Sequence, residues 1–111
     1  MIAVSAEEAH ASSDVSSRFA RAPFVLLFSD EGVFSEALVG EGGVDSGAGG
    51  TMVRKLAERG VTDVLLPQVG PKAGAALAAA GMHAWGLFGD AWSAERAVRA
   101  FLAGELREMP L

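Results

Sequence analysis

The 111-residue sequence contains no cysteine. It therefore has no disulfide, no thiolate nucleophile and no thiolate ligand for a zinc ion or an iron–sulfur cluster. Basic residues are also few, since nine lysines and arginines stand against fourteen acidic residues, and the formal net charge is −5. Because nucleic-acid phosphates bind to basic surfaces, this charge argues against a nucleic-acid partner.

Long apolar runs are missing as well. No run approaches the about 18 residues that a membrane-spanning helix needs, and the first residues lack the basic-then-apolar pattern of a secretory signal. Half of the residues are hydrophobic nonetheless, which is enough for one domain to bury a core without cross-links. We expect a single domain over residues 1–111 that resides in the cytoplasm and binds no membrane.

The stretch from residue 60 to residue 73 has the pattern of a strand followed by a turn and a helix. Residues 64–66 form a short apolar run, typical of a central parallel strand that is covered on both faces. Pro71 has its ring-fixed φ where a first helical residue needs it. Ligands of open α/β sheets bind beyond the carboxyl ends of such strands, so this turn marks a place where a binding site is expected.

Hydrophobic periodicity predicts five strands and three helices in the order β-β-β-α-β-α-β-α. The strands are expected at residues 1–5, 24–28, 33–39, 64–66 and 82–87, with the second strand antiparallel to the first. The helices are expected at residues 51–59, 71–80 and from 94 until Gly104, followed by a frayed, charged tail. The second helix should pack on the sheet through Ala73, Ala76, Leu77 and Ala80. Residues 40–50 contain six glycines, which predicts either a mobile connection or a loop that approaches a ligand closely.

Two arginines flank an aromatic residue in the segment Val15-Ser16-Ser17-Arg18-Phe19-Ala20-Arg21-Ala22-Pro23. Further pieces keep a fixed order around this motif: Ile2-Ala3-Val4, Gly47-Ala48-Gly49-Gly50, Gly60-Val61-Thr62-Asp63-Val64, Gly70-Pro71-Lys72-Ala73 and the ending between residues 97 and 106. Each piece is weak alone. In order and spacing, over nearly the whole chain, they resemble the dinitrogenase iron–molybdenum cofactor biosynthesis family.

The resemblance implies an α/β protein with a ribonuclease-H-like three-layer fold, in which a mixed five-stranded sheet carries helices on both faces. It also implies a non-enzymatic module that binds or carries an iron–sulfur or iron–molybdenum-type cofactor or precursor. A metal-cluster cofactor or a nitrogenase-assembly-type protein would then be its partner. Two positions depart from the family motif, because Arg18 stands in place of a histidine and Ala20 in place of a glycine. A guanidinium has no lone pair for a metal, so binding here would depend on hydrogen bonds and charge.

These arguments predict an anion-binding site between three loops. The residues expected to contact the cofactor are Ser16, Arg18, Phe19, Arg21, Gly47, Gly49, Gly70 and Pro71, and the candidate metal contact is His10. Structural alternatives stand beside each role. The arginines could instead pair with acids of the preceding loop, Phe19 could belong to the core, and Lys72 could simply face solvent after a tight turn. His83 is expected to be structural.

A protein-interaction module that has lost the cofactor site is the alternative function, and an exposed Trp92 would suit it. Enzyme activity is not expected. A nuclease of ribonuclease-H type needs an acid on the first strand to hold its metals, and Ile2-Ala3-Val4 carries none. The glycine-rich stretch lacks the Gly-Lys-Ser/Thr ending of a phosphate-binding loop, which argues against nucleotide hydrolysis. The sequence leaves the ligand, the partner and the oligomeric state open.

Overall fold

A computed structural model of the chain describes residues 1–41, 47–89 and 91–111. The strands are β1 (Ile2–Ala6), β2 (Phe24–Phe28), β3 (Phe34–Val39), β4 (Asp63–Leu66), β5 (His83–Gly86) and β6 (Arg107–Met109). The helices are α1 (Ala48–Glu58), α2 (Pro71–Ala79) and α3 (Ala94–Leu102). Within this part of the chain, no helix combines the length and the apolar character that crossing a membrane requires.

One mixed sheet of six strands, in the order β3-β2-β1-β4-β5-β6, organises the fold. The pairs β1–β4 and β4–β5 are parallel, whereas β1–β2, β2–β3 and β5–β6 are antiparallel. The carboxyl ends of β1, β4 and β5 therefore lie at the same end of the sheet. In open α/β sheets, ligands bind beyond this end. We call this the upper end of the sheet.

Alternating side chains of the central strands build two separate apolar layers, because successive residues of a strand point to opposite faces. Val64 and Leu66 of β4 belong to the same buried cluster as Leu56 of α1 and Leu77 of α2. Leu65, between them, belongs to the cluster that contains Val98 of α3. Helices α1 and α2 thus cover one face of the sheet, and α3 covers the other.

The predicted strand count of five is wrong, because the tail expected to fray forms β6. Gly104 ends α3 with a φ of 73°, a left-handed conformation that glycine adopts easily and that lets the chain reverse. Residues 107–109 then pair with β5, where Met109 lies opposite Ala84 and packs against the core. His83 adds a side-chain contact, since its Nδ1 lies 2.6 Å from Oε2 of Glu108.

Three smaller predictions are also corrected or left aside. Helix α1 begins at Ala48, three residues before the predicted start at Thr51. Ala80 follows the last residue of α2 and is exposed, so it does not belong to the helix–sheet interface. Of the glycine-rich stretch, residues 42–46 lie outside the described residues. The antiparallel pairing of β2 with β1 and the bounds of β2 are confirmed, whereas the ribonuclease-H-like layering stays a prediction.

The contact between His83 and Glu108 makes the attachment of β6 sensitive to pH. The Glu108 carboxylate raises the pKa of His83 above its ordinary value of 6.5, first by the hydrogen bond and then by its charge. The charge of Asp63 adds to this rise, and desolvation opposes it. Because the pKa is raised in the folded protein, the stabilisation is complete below pH 6.5 and is lost as the pH climbs through the raised pKa.

We therefore expect His83→Gln to lower the urea unfolding midpoint at about pH 6 and to leave it unchanged at about pH 9. Glu108→Gln removes the other half of the pair, so the unfolding midpoint of this variant should show the same pH dependence. An effect of His83→Gln that was equal at the two pH values would contradict this role of the pair.

Candidate functional site

A cleft of about 770 Å³ opens beyond the carboxyl end of β4. Three segments of the described chain line it. They are the arginine loop, which we define as residues 17–21, the start of α1 at Gly47, Gly49 and Gly50, and residues 68–73, which comprise the end of the β4–α2 connection and the first turn of α2. The predicted parallel strand, the turn after it and the arginine motif therefore meet at one place.

Buried serines attach the arginine loop to the upper end of β1. The Ser16 N–H donates to the Ser5 carbonyl oxygen at 3.0 Å, and the Ser5 hydroxyl donates back to the Ser16 carbonyl oxygen at 2.9 Å. The Ser16 hydroxyl then accepts the N–H of Arg18 at 3.3 Å. Ser16 is buried and is not among the lining residues, and its hydrogen bonds hold the start of the loop against β1.

The far end of the arginine loop is held by the two residues that follow β3. Gly40 donates its N–H to the Pro23 carbonyl oxygen at 2.9 Å, and Glu41 donates to the Ala20 carbonyl oxygen at 2.7 Å. A Cβ atom on Gly40 would lie 1.6 Å from the Ala22 carbonyl oxygen, so the close approach requires glycine at this position. Phe19 packs beneath the loop in the core and is only 6% exposed.

The amino-terminal ends of α1 and α2 meet at the opposite side of the cleft. A Cβ atom on Gly49 would lie 3.1 Å from Cα and 3.2 Å from Cβ of Ala73, which shows how closely the two first turns approach. The N-cap residues are Gly47 and Gly70, and neither supplies a side-chain acceptor. The first turn of each helix also lacks an acidic residue.

Helix α3 shows the ordinary arrangement for comparison. The Ser93 hydroxyl accepts the N–H of Arg96, and Glu95 occupies the first turn. These groups satisfy a free N–H and oppose the positive end of the helix dipole. Among the described residues α1 and α2 have no such groups, so their first N–H groups and the positive ends of their dipoles can act on whatever occupies the cleft.

Among the described lining residues, all the charged side chains are cationic. Arg18, Arg21 and Lys72 belong to the lining, and the described lining residues include no aspartate, glutamate or histidine. Within residues 1–41, 47–89 and 91–111, no carboxylate lies in ion-pair range of Arg18 or Lys72. The cleft is thus a positive surface on a chain whose net charge is −5.

Seven of the eight residues predicted to contact a cofactor line this cleft, and Ser16 is not among them. Their role as ligand contacts stays a prediction. The structure adds residues that the sequence did not place in the site, Gln68 and Val69 among them. Their position beyond the end of β4 would have indicated both, because ligands of open α/β sheets bind at this place.

The remaining candidates lie elsewhere. His10 is not among the lining residues, and its ring nitrogens lie 3.0 Å from Oε2 of Glu8 and 3.0 Å from the Ser12 hydroxyl. Trp92, expected to be exposed, is half-buried instead, because its indole N–H donates to the Phe88 carbonyl oxygen and the Arg96 guanidinium lies 4.2 Å from the ring centroid. In the described part of the chain, no group of three or more histidine, aspartate or glutamate side chains could hold a metal ion.

A family model for the dinitrogenase iron-molybdenum cofactor matches residues 1–104 of the sequence. The chain belongs to this family. The match spans both the arginine motif and the turn at Gly70, so the cleft of this dinitrogenase cofactor family member is formed by segments that lie inside the matched region.

Two solved structures resemble this family member over nearly their whole length. The apo form of the orange protein from Desulfovibrio gigas is 32% identical, with a TM-score of 0.86 over 97% of this chain and 91% of that one. A Thermotoga protein, described as NifB-like and of the DUF35 family, is 30% identical, with a TM-score of 0.82 over 96% and 90%. A search of curated proteins found no match.

The contact between Gly49 and Ala73 leads to a testable prediction about this family member. Replacing a helical glycine with alanine stabilises a helix by up to about 1 kcal/mol when the site has room. A methyl group on Gly50 would meet no atom of the described residues within 4 Å, whereas one on Gly49 would press against Ala73. We expect Gly50→Ala to raise the free energy of unfolding and Gly49→Ala to lose this gain, as measured by urea unfolding. An equal gain from both substitutions would show that the two helix ends do not constrain each other.

Proposed function

We propose that this protein is a non-enzymatic carrier that binds an anionic metal–sulfur cluster, of the iron–sulfur or iron–molybdenum type or a precursor of it, in the cleft. The cluster is cargo rather than a resident cofactor. The observation that carries the proposal is the convergence of three cationic side chains and two uncapped helix ends on one cleft, whose described lining contains no acid. The family adds the class of cargo.

The donor groups of the lining decide how such a cluster is held. The chain has no cysteine, and the described lining offers no imidazole or carboxylate. Side chains of this set do not coordinate iron. They fit a cluster whose metals are already ligated by sulfide and whose outer negative charge is met by N–H donors.

Individual residues have different tasks in this arrangement. The guanidinium groups of Arg18 and Arg21 present fixed forks of N–H donors, and the ammonium of Lys72 acts as a compact charge. The N–H groups at the starts of α1 and α2 add donors that need no side chain. Arg18 replaces the histidine of the family motif, and we infer that it exchanges a coordinating group for a charge. Phe19 and Val69 close the apolar part of the lining.

We also propose that the protein delivers the cluster to a nitrogenase-assembly-type protein in the cytoplasm. The ribonuclease-H-like layering that the family resemblance implies belongs to the same proposal. The alternative is a protein-interaction module that has lost the cofactor site. Val39 and Phe88 favour it, because each is 68% exposed and both lie at the upper end of the sheet. The two functions differ in whether the protein binds the cluster.

An anaerobic binding experiment separates them. The purified protein is mixed with the iron–molybdenum cofactor, or with tetrathiomolybdate as a soluble metal–sulfur anion, and the visible absorption is followed through gel filtration. We expect co-elution that weakens as sodium chloride is raised, because charge supplies much of the attraction. Elution of the probe apart from the wild-type protein at low salt would favour the interaction module.

Variants of the arginine loop test the site itself. Arg21→Ala should weaken binding by about 1.5–3 kcal/mol, the range for a hydrogen bond to a charged group. Arg54→Ala is the control, since Arg54 is an exposed arginine of α1 outside the cleft lining and its loss changes the net charge equally. Arg18→His should restore a coordinating nitrogen and strengthen binding of iron-containing clusters. Equal affinities for wild type, Arg21→Ala and Arg18→His would place the cluster elsewhere.

A further inference from the structure

Glu41 connects two walls of the cleft without lining it. Its N–H donates to the Ala20 carbonyl oxygen of the arginine loop at 2.7 Å, and its carboxylate forms an ion pair with the Lys55 ammonium of α1. The backbone of one residue thus holds the loop while its side chain holds the helix whose first turn forms the facing wall. Neither Glu41 nor Lys55 is a lining residue.

The environment of this carboxylate makes the ion pair important. The Glu41 side chain is only 12% exposed, whereas Lys55 is 40% exposed. Oε1 of Glu41 is buried and, among the described residues, has no donor in hydrogen-bonding geometry. Lys55 is therefore the counter-charge that compensates for desolvation of the carboxylate, and a buried carboxylate without such compensation is costly.

Electrostatic repulsion across the cleft opposes the position in which the Glu41–Lys55 pair holds the arginine loop. Arg18 of the loop lines the same cleft as the amino-terminal ends of α1 and α2, where the positive ends of the helix dipoles lie. Without an anion between them these groups repel, which favours movement of the loop away from α1. The connection through Glu41 acts against that movement from behind the loop.

We propose that Glu41 is a positioning residue for the anion cleft: paired with Lys55, it holds the arginine loop at the distance from the helix ends that a bound anion needs. This inference rests on the proposed function of the cleft. It concerns a residue whose own charge has the wrong sign for attracting an anion.

The negative charge of Glu41 allows its positioning role to be tested. If Glu41 acted only through its charge, Glu41→Gln would make the cleft more positive and tighten anion binding. If it acts by position, the same substitution weakens binding. We expect affinity for tetrathiomolybdate to fall about fivefold, which corresponds to about 1 kcal/mol. Glu41→Asp retains the charge but shortens the side chain by one methylene, and it should weaken binding as well.

The experiment measures anaerobic equilibrium binding of tetrathiomolybdate to the full chain, with the thermal unfolding midpoint of each variant. Lys55→Met should weaken binding, Lys55→Arg should retain it, and the double variant Glu41→Gln/Lys55→Met should bind no worse than the weaker single variant. Glu36→Gln is the matched control. It removes the charge from the 3.1 Å pair between Glu36 of β3 and Arg59, the C-cap residue of α1. Because this pair holds the far end of the helix and not the loop, the substitution should leave affinity unchanged.

The possible results separate the two proposals. Unchanged or tighter binding by Glu41→Gln and Glu41→Asp would overturn the positioning role while leaving the cleft as the binding site. An equal loss of affinity in Glu36→Gln would also overturn it, because general loosening of α1 would then be the cause. Absence of binding by the wild-type protein would instead overturn the proposed function. Should Glu41→Gln fail to fold, the comparison of Lys55→Met with Lys55→Arg decides the question.

Discussion

The close packing of the first turn of α1 on the first turn of α2 is the constraint on which the rest of the site depends. Gly49 lies so close to Ala73 that a Cβ atom at this position would lie only 3.1 Å from the Ala73 Cα atom. Because both helices cover the same face of the sheet and start at its upper end, this contact brings two helix amino-terminal ends together. The positive ends of the two helix dipoles therefore lie at the same cleft, and the arginine loop forms its remaining wall.

Positive charge is concentrated in the described lining of the cleft, although the chain as a whole is acidic. The chain is acidic overall, and most anions are repelled at a distance from a surface of net charge −5. Three cationic side chains belong to the described cleft lining. Outside the cleft, Lys55 of α1 pairs with Glu41, and Arg59 at the C-cap of α1 pairs with Glu36. An anion that entered the cleft would therefore meet N–H donors. This division is consistent with a carrier whose cargo is compact and negatively charged.

The parts of the fold that the sequence predicted well are those set by local patterns. The alternating and continuous apolar runs located β2 and β4, and Ser93 and Gly104 marked the ends of α3 as cap and stop. The missed element, β6, has no strand pattern of its own in Arg107–Met109. It forms because β5 presents a free edge and Met109 reaches the core, and both conditions arise only after the fold exists.

In the site too, the features set by local sequence were predicted, whereas those that depend on contacts between distant residues were not. The motif around Arg18 and Arg21 was visible in the sequence, and so was the turn at Gly70. The contribution of Lys72 was left undecided between an anion contact and a solvent-facing side chain, because its surroundings depend on where α1 packs. Glu41 gave no signal at all, since its importance depends on a contact with Lys55 fourteen positions along the chain and on burial that follows from folding.

The central claim, that an anion binds where the two helix ends converge, is tested most directly by the amide resonances of the protein during an anaerobic titration with tetrathiomolybdate. The account predicts that the largest chemical-shift changes occur at Gly49, Gly50, Lys72 and the arginine loop, because their N–H groups point at the bound anion. It predicts no change at Glu95 and Arg96, since the start of α3 is already capped by Ser93. Changes centred on α3 or on the loop that carries His10, with the cleft resonances unmoved, would contradict it.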